Sequence, residues 1–202
     1  MSGRGIECDP DKVASIAMWP TPSNIAEVCT FCGLASYYRT FVCNFAAIVR
    51  PLYNLTKKGA TFEWTPECEA AFQQLKQTLT SAPILVAPCD DDGTCVLDTD
   101  ASDTALGAVL KQEQNNKLQV VGYASRTLSP TKARYCITRH ELLGVVFSLN
   151  KYRQHLLGWP IIVRTDHAPL KYLMLTPEPV GQQGRWLDLF GEYDITIQHR
   201  PG

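Results

Sequence analysis

No run of apolar residues in this sequence approaches the roughly 18 that a helical membrane span requires, so no membrane partner is expected. Nor does the chain carry an excess of one charge. Its 19 Lys and Arg stand against 20 Asp and Glu, a net −1 that gives no global pull toward a polyanion. The eight cysteines are irregularly spaced and no signal peptide precedes them, which excludes a secreted disulfide framework and points to an intracellular protein, cytoplasmic or nuclear. Cys29 and Cys32 form one CxxC, but a structural zinc site needs four ligands and no second pair stands nearby. Two small residues one helical turn apart is the simpler reading. Internal repeats and low-complexity tracts are also missing.

What is present is an ordinary globular composition, 45% apolar and 19% charged, over 202 residues. That length suits one sizeable domain, or a domain of moderate size with a smaller helical unit. The distribution of charge is more informative than its sum. Between Asp90 and Asp103 lie six acidic residues and no basic one. Between Arg126 and Leu156 lie six basic residues against one acid, Glu141. One segment is suited to cations and the other to phosphates.

Two regimes of hydrophobic period divide the chain, residues 1–88 and 89–202. The first reads helical. A short helix around Lys12–Met18 ends before Pro20 and Pro22. Ser23 or Asn24 then caps a longer helix carrying Ile25, Val28, Phe31, Cys32, Ala35 and Tyr38 at helical spacing. Ala46 to Leu55 forms another. Thr65-Pro66-Glu67 opens a fourth, with Pro near its first position and acid in its first turn, and Pro83 stops it. In the second regime the period shortens. Thr94–Asp100, Ala105–Gln112 and Leu118–Ser125 read as an antiparallel meander, with Asn115-Asn116 turning between the last two. Ile137–Leu156 reads as one long helix, Ile161–Thr165 as a buried strand, Ala168–Leu173 as a further helix and Asp194–His199 as a final strand. The expectation is an α/β fold with a mixed sheet and flanking helices, preceded by a small, mainly helical segment.

Three acids fall at element boundaries of this α/β region. Asp100 closes the first strand, Glu141 lies in the first turns of the long helix, and Asp166 follows the buried strand. Such positions can converge although distant in sequence. Like charges gathered together raise one another's pKa values unless a cation offsets them. Mg²⁺ prefers hard oxygen donors of this kind. Taken singly, each acid has a simpler explanation: a turn cap, a surface helix residue, a helix N-cap. Asp98 and Asp100 are two apart on a strand and share a face, so strand period does not choose between them.

The residues now reached carry a resemblance. Thr99-Asp100-Ala101-Ser102 followed by Gly107-Ala108-Val109-Leu110 resembles the "TDAS…GAVL" opening of the ribonuclease H domain in gypsy-type LTR retrotransposon Pol polyproteins. Tyr123-Ala124-Ser125-Arg126-Thr127-Leu128 is similar to its "YASRxL", Glu141-Leu142-Leu143 to its "ELLA" helix, and Thr165-Asp166-His167 to its "TDH". Arg200-Pro201-Gly202 matches "RPG". Upstream, Gly33-Leu34-Ala35-Ser36-Tyr37-Tyr38-Arg39, Pro51-Leu52 and Phe62-Glu63-Trp64 resemble the family's reverse-transcriptase thumb and connection.

The resemblance implies a ribonuclease H-like fold that cleaves the RNA strand of RNA–DNA hybrids. It implies two Mg²⁺ or Mn²⁺ ions held by Asp100 rather than Asp98, by Glu141 and by Asp166. The order Asp, Glu, Asp departs from the Asp, Asp, Glu of the integrase branch. Arg126, Lys151, Arg153, Tyr38 and Arg39 are the candidate nucleic-acid contacts, of the kind that position a duplex without reading its sequence. The family's polymerase palm, a further expected partner region, precedes the segment represented here. Its fourth carboxylate belongs to an "ADALSR"-like segment beyond Gly202. Val28-Cys29-Thr30-Phe31-Cys32 replaces the usual Leu-Arg-Ser-Phe-Leu, and Gly144 replaces a helical alanine. Two readings therefore stand side by side: a hybrid-cleaving nuclease, and a catalytically weak or dead remnant that only binds nucleic acid or protein.

Overall fold

The structure is a computed structural model that describes residues 5–89, 93–166 and 182–200. Four helices come first: α1 (Pro10–Ala17), α2 (Ile25–Tyr37), α3 (Phe45–Leu55) and α4 (Pro66–Thr80). The starts of α1, α2 and α4 follow from capping chemistry. The Asp9 carboxylate accepts from the Asp11 amide at 3.0 Å, and the Asn24 side chain accepts from the Glu27 amide at the same distance. Glu27 in turn reaches back to the Ser23 amide at 2.7 Å, so donors at the helix entry are satisfied reciprocally. Thr65 caps α4 by accepting from the Cys68 amide, with Pro66 at the first turn as its sequence signals.

These helices close over an apolar cluster centred on Phe31, Leu52, Phe72 and Leu75, all fully buried. The Phe31 and Phe72 rings lie 4.6 Å apart, and Trp64 meets Phe72 edge-on at 5.9 Å. An isolated antiparallel bridge between Ile6 and Leu85 ties the two ends of this segment together.

The sheet begins with β1 (Cys95–Ala101), β2 (Ala105–Gln114) and β3 (Lys117–Thr127), an antiparallel meander. Asn115 and Asn116 both adopt positive φ, 53° and 58°, as a two-residue hairpin turn between right-twisted strands requires. β4 (Pro160–Thr165) then pairs in parallel with β1, and β5 (Asp194–His199) in parallel with β4. The spatial order is β3-β2-β1-β4-β5. This is the mixed sheet that the change of period predicts.

Between β3 and β4 runs α5 (Ile137–Lys151), whose apolar stripe Leu142, Val145, Val146 and Leu149 buries against the sheet. The expected single helix to Leu156 is in fact two. Tyr152 caps α5, and a short α6 (Arg153–Leu156) follows. The Tyr152 hydroxyl donates to the Gly122 carbonyl at 2.9 Å, pinning the break onto β3. A further helix, α7 (Gln182–Phe190), has no counterpart among the sequence expectations. The helix expected at Ala168–Leu173 lies outside the described residues.

The helical segment docks on the β2–β3 side of the sheet. The Ala46 amide donates to Ser125 Oγ at 2.8 Å, and the Val86 amide to the Val120 carbonyl at 2.9 Å. Val120 and Tyr123 of β3 pack against the helical cluster. This contact puts the start of α3 beside the carboxyl end of β1. Among the described residues no helix is long and apolar enough to cross a membrane.

Candidate metal centre and nucleic-acid face

β1 and β4 are parallel neighbours, so their carboxyl ends lie at the same edge of the sheet. Asp100 is the last but one residue of β1, and Asp166 directly follows β4. Open sheets of this kind bind ligands outside the carboxyl ends of their parallel strands. Glu141 comes to the same edge from α5, which packs over β1 closely enough that Gly144 lies against Ala101.

Glu141 is the buried member, only 3% exposed. Its carboxylate accepts a hydrogen bond from the Thr165 hydroxyl at 3.3 Å and is further stabilised by the Ala101 backbone amide. Thr165 immediately precedes Asp166, and Ala101 immediately follows Asp100. The side chain is thus held by the flanks of both other acids. Burial, the charge of Asp166 and, more weakly, the charge of Asp100 push its carboxyl up from the usual 4.5 to about 7.

Asp98 has a different environment. Its carboxylate forms an ion pair with Lys111 and a longer one, 3.5 Å, with Arg200. Lys111 faces Val96 across the β1–β2 ladder, so it reaches Asp98 on the diagonal. Asp100 has no basic partner among the described residues. The charge of Asp98 is neutralised by the protein itself, and that of Asp100 is not. This physical distinction cannot be read from strand period.

Asp98, Asp100 and Asp166 line one open cleft, whose other walls include Arg200 and, from the helical segment, Cys43 and Asn44. Neither Cys43 nor Asn44 is singled out by the sequence. Their only signal is a place just ahead of a helix, and their approach to the acids depends on docking of the two parts. The donor set fits a hard divalent cation in kind, because it offers carboxylate oxygens and a carboxyl whose pKa is raised by burial and, after that, by neighbouring negative charge. It is not a closed cage: among the described residues, no three His, Cys, Asp or Glu side chains are grouped closely enough to hold an ion as they stand. The CxxC cysteines do not form a site either, for Cys29 is exposed while Cys32 is buried in the helical cluster.

With this geometry in place, comparison with known proteins is decisive. Residues 64–163 match the family described as the RNase H-like domain found in reverse transcriptase. The chain is 36% identical over 200 residues to the retrovirus-related Pol polyprotein from transposon 297 of Drosophila melanogaster, covering 98% of this chain. It is 32% identical to the Pol polyprotein from transposon gypsy of the same organism, over the whole chain. The Tf2-3 polyprotein of Schizosaccharomyces pombe matches equally, at 32%. The chain belongs to the LTR-retrotransposon Pol family.

It spans about a fifth or less of each of these Pol polyproteins, 18%, 20% and 16% respectively. Among solved structures, the foamy viral protease-reverse transcriptase in complex with RNA/DNA hybrid aligns with a TM-score of 0.78 at 22% identity. That alignment covers 98% of this chain and 27% of the viral one, and it establishes the shared fold.

The structure sorts the candidate nucleic-acid contacts into two groups. Arg126, at the end of β3, lies where two grooves meet. It shares one with Arg39 and Tyr53, and the other with Lys132, Lys151 and Trp186. Four cationic side chains with interleaved aromatics thus follow one surface, although Arg39 is distant in sequence. His140 helps shape it, because its Nε2 lies 2.7 Å from the Lys132 carbonyl and ties that basic turn to α5.

Two candidates are differently placed. Tyr38 is 5% exposed and belongs to the helical core, where it packs against Phe41, while its neighbour Tyr37 is the exposed ring at 78%. Helical period predicts this, since Tyr38 falls on the same stripe as Phe31 and Ala35. Arg153 is engaged by Glu192 at 2.5 Å and lies over the Tyr193 ring. Its guanidinium therefore joins α6 to the turn before β5.

Proposed function

We propose that this chain is a ribonuclease H-type endonuclease that hydrolyses the RNA strand of RNA–DNA hybrids, with Asp100, Glu141 and Asp166 as its catalytic carboxylates. The observation that carries the reading is the tethering of Glu141 between Ala101 and Thr165, which gathers three negative charges at one sheet edge. An acidic cluster with one member pushed up to about 7 is an expensive arrangement for stability, and a divalent cation is the partner that compensates it. Asp100, Glu141 and Asp166 would hold Mg²⁺ or Mn²⁺, two ions in the family pattern. Bound there, such ions supply charge compensation and an activated water for in-line displacement at phosphorus.

The remaining tasks fall to the chain itself. Asp98, paired with Lys111, also holds Arg200 at the cleft, where the surplus positive charge attracts the phosphodiester backbone. The track of Arg39, Arg126, Lys132 and Lys151 extends that attraction beyond the cleft. In the reaction, the oxygen of water bonds to phosphorus as the phosphorus–O3′ bond breaks. The products are a 5′-phosphate and a 3′-hydroxyl. The foamy viral relative solved with an RNA/DNA hybrid and also with double-stranded DNA supports a duplex nucleic acid as the ligand.

The test uses purified protein, a labelled RNA–DNA hybrid and Mn²⁺, beside an Asp100→Asn control. Cleavage of the RNA strand by the parent, with a loss of at least about 100-fold in the control, is the expected result. Cleavage that survives in the control refutes the site. Salt-dependent hybrid binding with no cleavage by the parent would favour a binding module, the reading suggested by the departures in the thumb-like residues.

A further inference from the structure

We infer that Asn44, contributed by the helical segment, is a specificity-determining residue of the acidic cleft, its side-chain amide recognising the 2′-hydroxyl of the RNA strand. The inference rests on the ribonuclease reading above and adds a residue from outside the ribonuclease H-like match, which begins at residue 64.

Asn44 does not cap its own helix through its side chain. It occupies the N-cap position of α3, where asparagine ordinarily turns its oxygen onto the helix amides. Here the backbone is left-handed, φ 54°, and the side chain makes no capping bond. The amide instead extends across to β2 and lies over Gly107, so close that a Cβ on that glycine would come within 2.4 Å of Asn44 Oδ1. Gly107 is the ladder partner of Asp100. Glycine at this one position therefore lets the amide lie beside the first candidate metal ligand. Asn44 lines the same cleft as Asp100 and Asp166, is solvent-exposed, and among the described residues no hydrogen bond engages its side chain.

The chemistry then selects the ligand. A carboxamide offers an acceptor oxygen and two donors. Groups beside Asp100 meet the sugar–phosphate backbone of the strand whose phosphorus is attacked, rather than base edges in a groove. On that backbone the 2′-hydroxyl both donates and accepts, and it is what distinguishes RNA from DNA. A carboxamide matches it in both senses, whereas the nearby cations Lys111 and Arg200 can serve only the phosphates.

The measurement is fluorescence anisotropy with the full chain in EDTA, so that no cleavage occurs. It uses three labelled duplexes: an RNA–DNA hybrid, the same hybrid with single 2′-deoxy substitutions scanned along the RNA strand, and the matching DNA duplex. Asn44→Gly suits the left-handed backbone and removes only the amide. The parent should prefer hybrid over DNA duplex and lose affinity at one 2′-deoxy position. Asn44→Gly should lower that preference about 2- to 10-fold, the worth of one hydrogen bond, and become insensitive at that position. The parent's own 2′-deoxy scan tests for a single 2′-hydroxyl contact even if the variant folds poorly.

A parent that does not discriminate hybrid from DNA duplex, by binding both alike or neither, overturns the assignment. So does an Asn44→Gly protein that keeps the parent's preference, or one that weakens both duplexes equally, which would move the contact to a phosphate. Because binding is read without metal, these outcomes are separate from cleavage by Asp100→Asn, which bears on the carboxylates alone.

Discussion

The helical segment and the sheet bury apolar clusters of similar size, 18 and 15 residues among those described, but they differ in what else they bury. The buried polar side chains Thr99, Gln112, His140, Glu141, Ser148 and Thr165 all come from the sheet and the helix that covers it. The helical segment buries apolar side chains, aromatic stacks and two cysteines. One region is assembled for stability. The other sets part of its stability against a charge arrangement that only function explains, since a carboxyl buried beside two others weakens the fold it belongs to. The difference predicts that substitutions of buried side chains will have opposite signs in the two regions.

The largest effect should come from the helical core. Phe72→Ala removes a fully buried ring that touches Phe31 and Trp64, and chemical denaturation should show a loss of about 3–5 kcal/mol. A loss under about 1 kcal/mol would show that this cluster is not the stabilising unit described.

In the sheet region the sign reverses. The folded-state pKa of Glu141, about 7, lies above its ordinary 4.5, so the folded protein binds the extra proton. The stability this group contributes is full below about pH 4.5 and is lost as pH rises through about 7. Glu141→Gln keeps the shape and the Thr165 contact but cannot ionise. In metal-free buffer, parent and variant should differ little at pH 5. At pH 8 the variant should be more stable by up to about 3 kcal/mol. A variant that is less stable than the parent at pH 8 would break the comparison.

Much of this organisation is legible in the sequence, for reasons that differ by element. The caps at Asn24 and Thr65 and the turn at Asn115-Asn116 are local signals, and each appears where its chemistry places it. The change from helical to strand period marks the meander, because Leu97, Ala108, Leu110 and Ala124 must alternate toward one core. Long-range pairing is not local, and there the sequence is silent. Asp98 and Asp100 are equivalent by period and become distinct only when Lys111 arrives on the diagonal and Arg200 comes from beyond β5.

The same limit hides the cleft wall at Cys43 and Asn44, which depends on how one part docks on the other. It also hides the break at Tyr152, where a hydroxyl finds a carbonyl 30 residues away. Arg153 falls in a run of basic residues, but its partner Glu192 lies 39 residues on. A charge run alone cannot separate a free cation from a paired one.

A metal centre at this sheet edge requires Asp100, Glu141 and Asp166 to hold a cation together. Thermal unfolding of the metal-free parent and Glu141→Gln at pH 8, across a Mg²⁺ titration, measures this directly. An ion bound only by the folded state raises the midpoint with concentration. The parent midpoint should climb as Mg²⁺ is added while that of Glu141→Gln stays nearly level, so that the stability gap between them narrows. Equal shifts in both proteins, or none in the parent, would contradict a metal centre at these carboxylates.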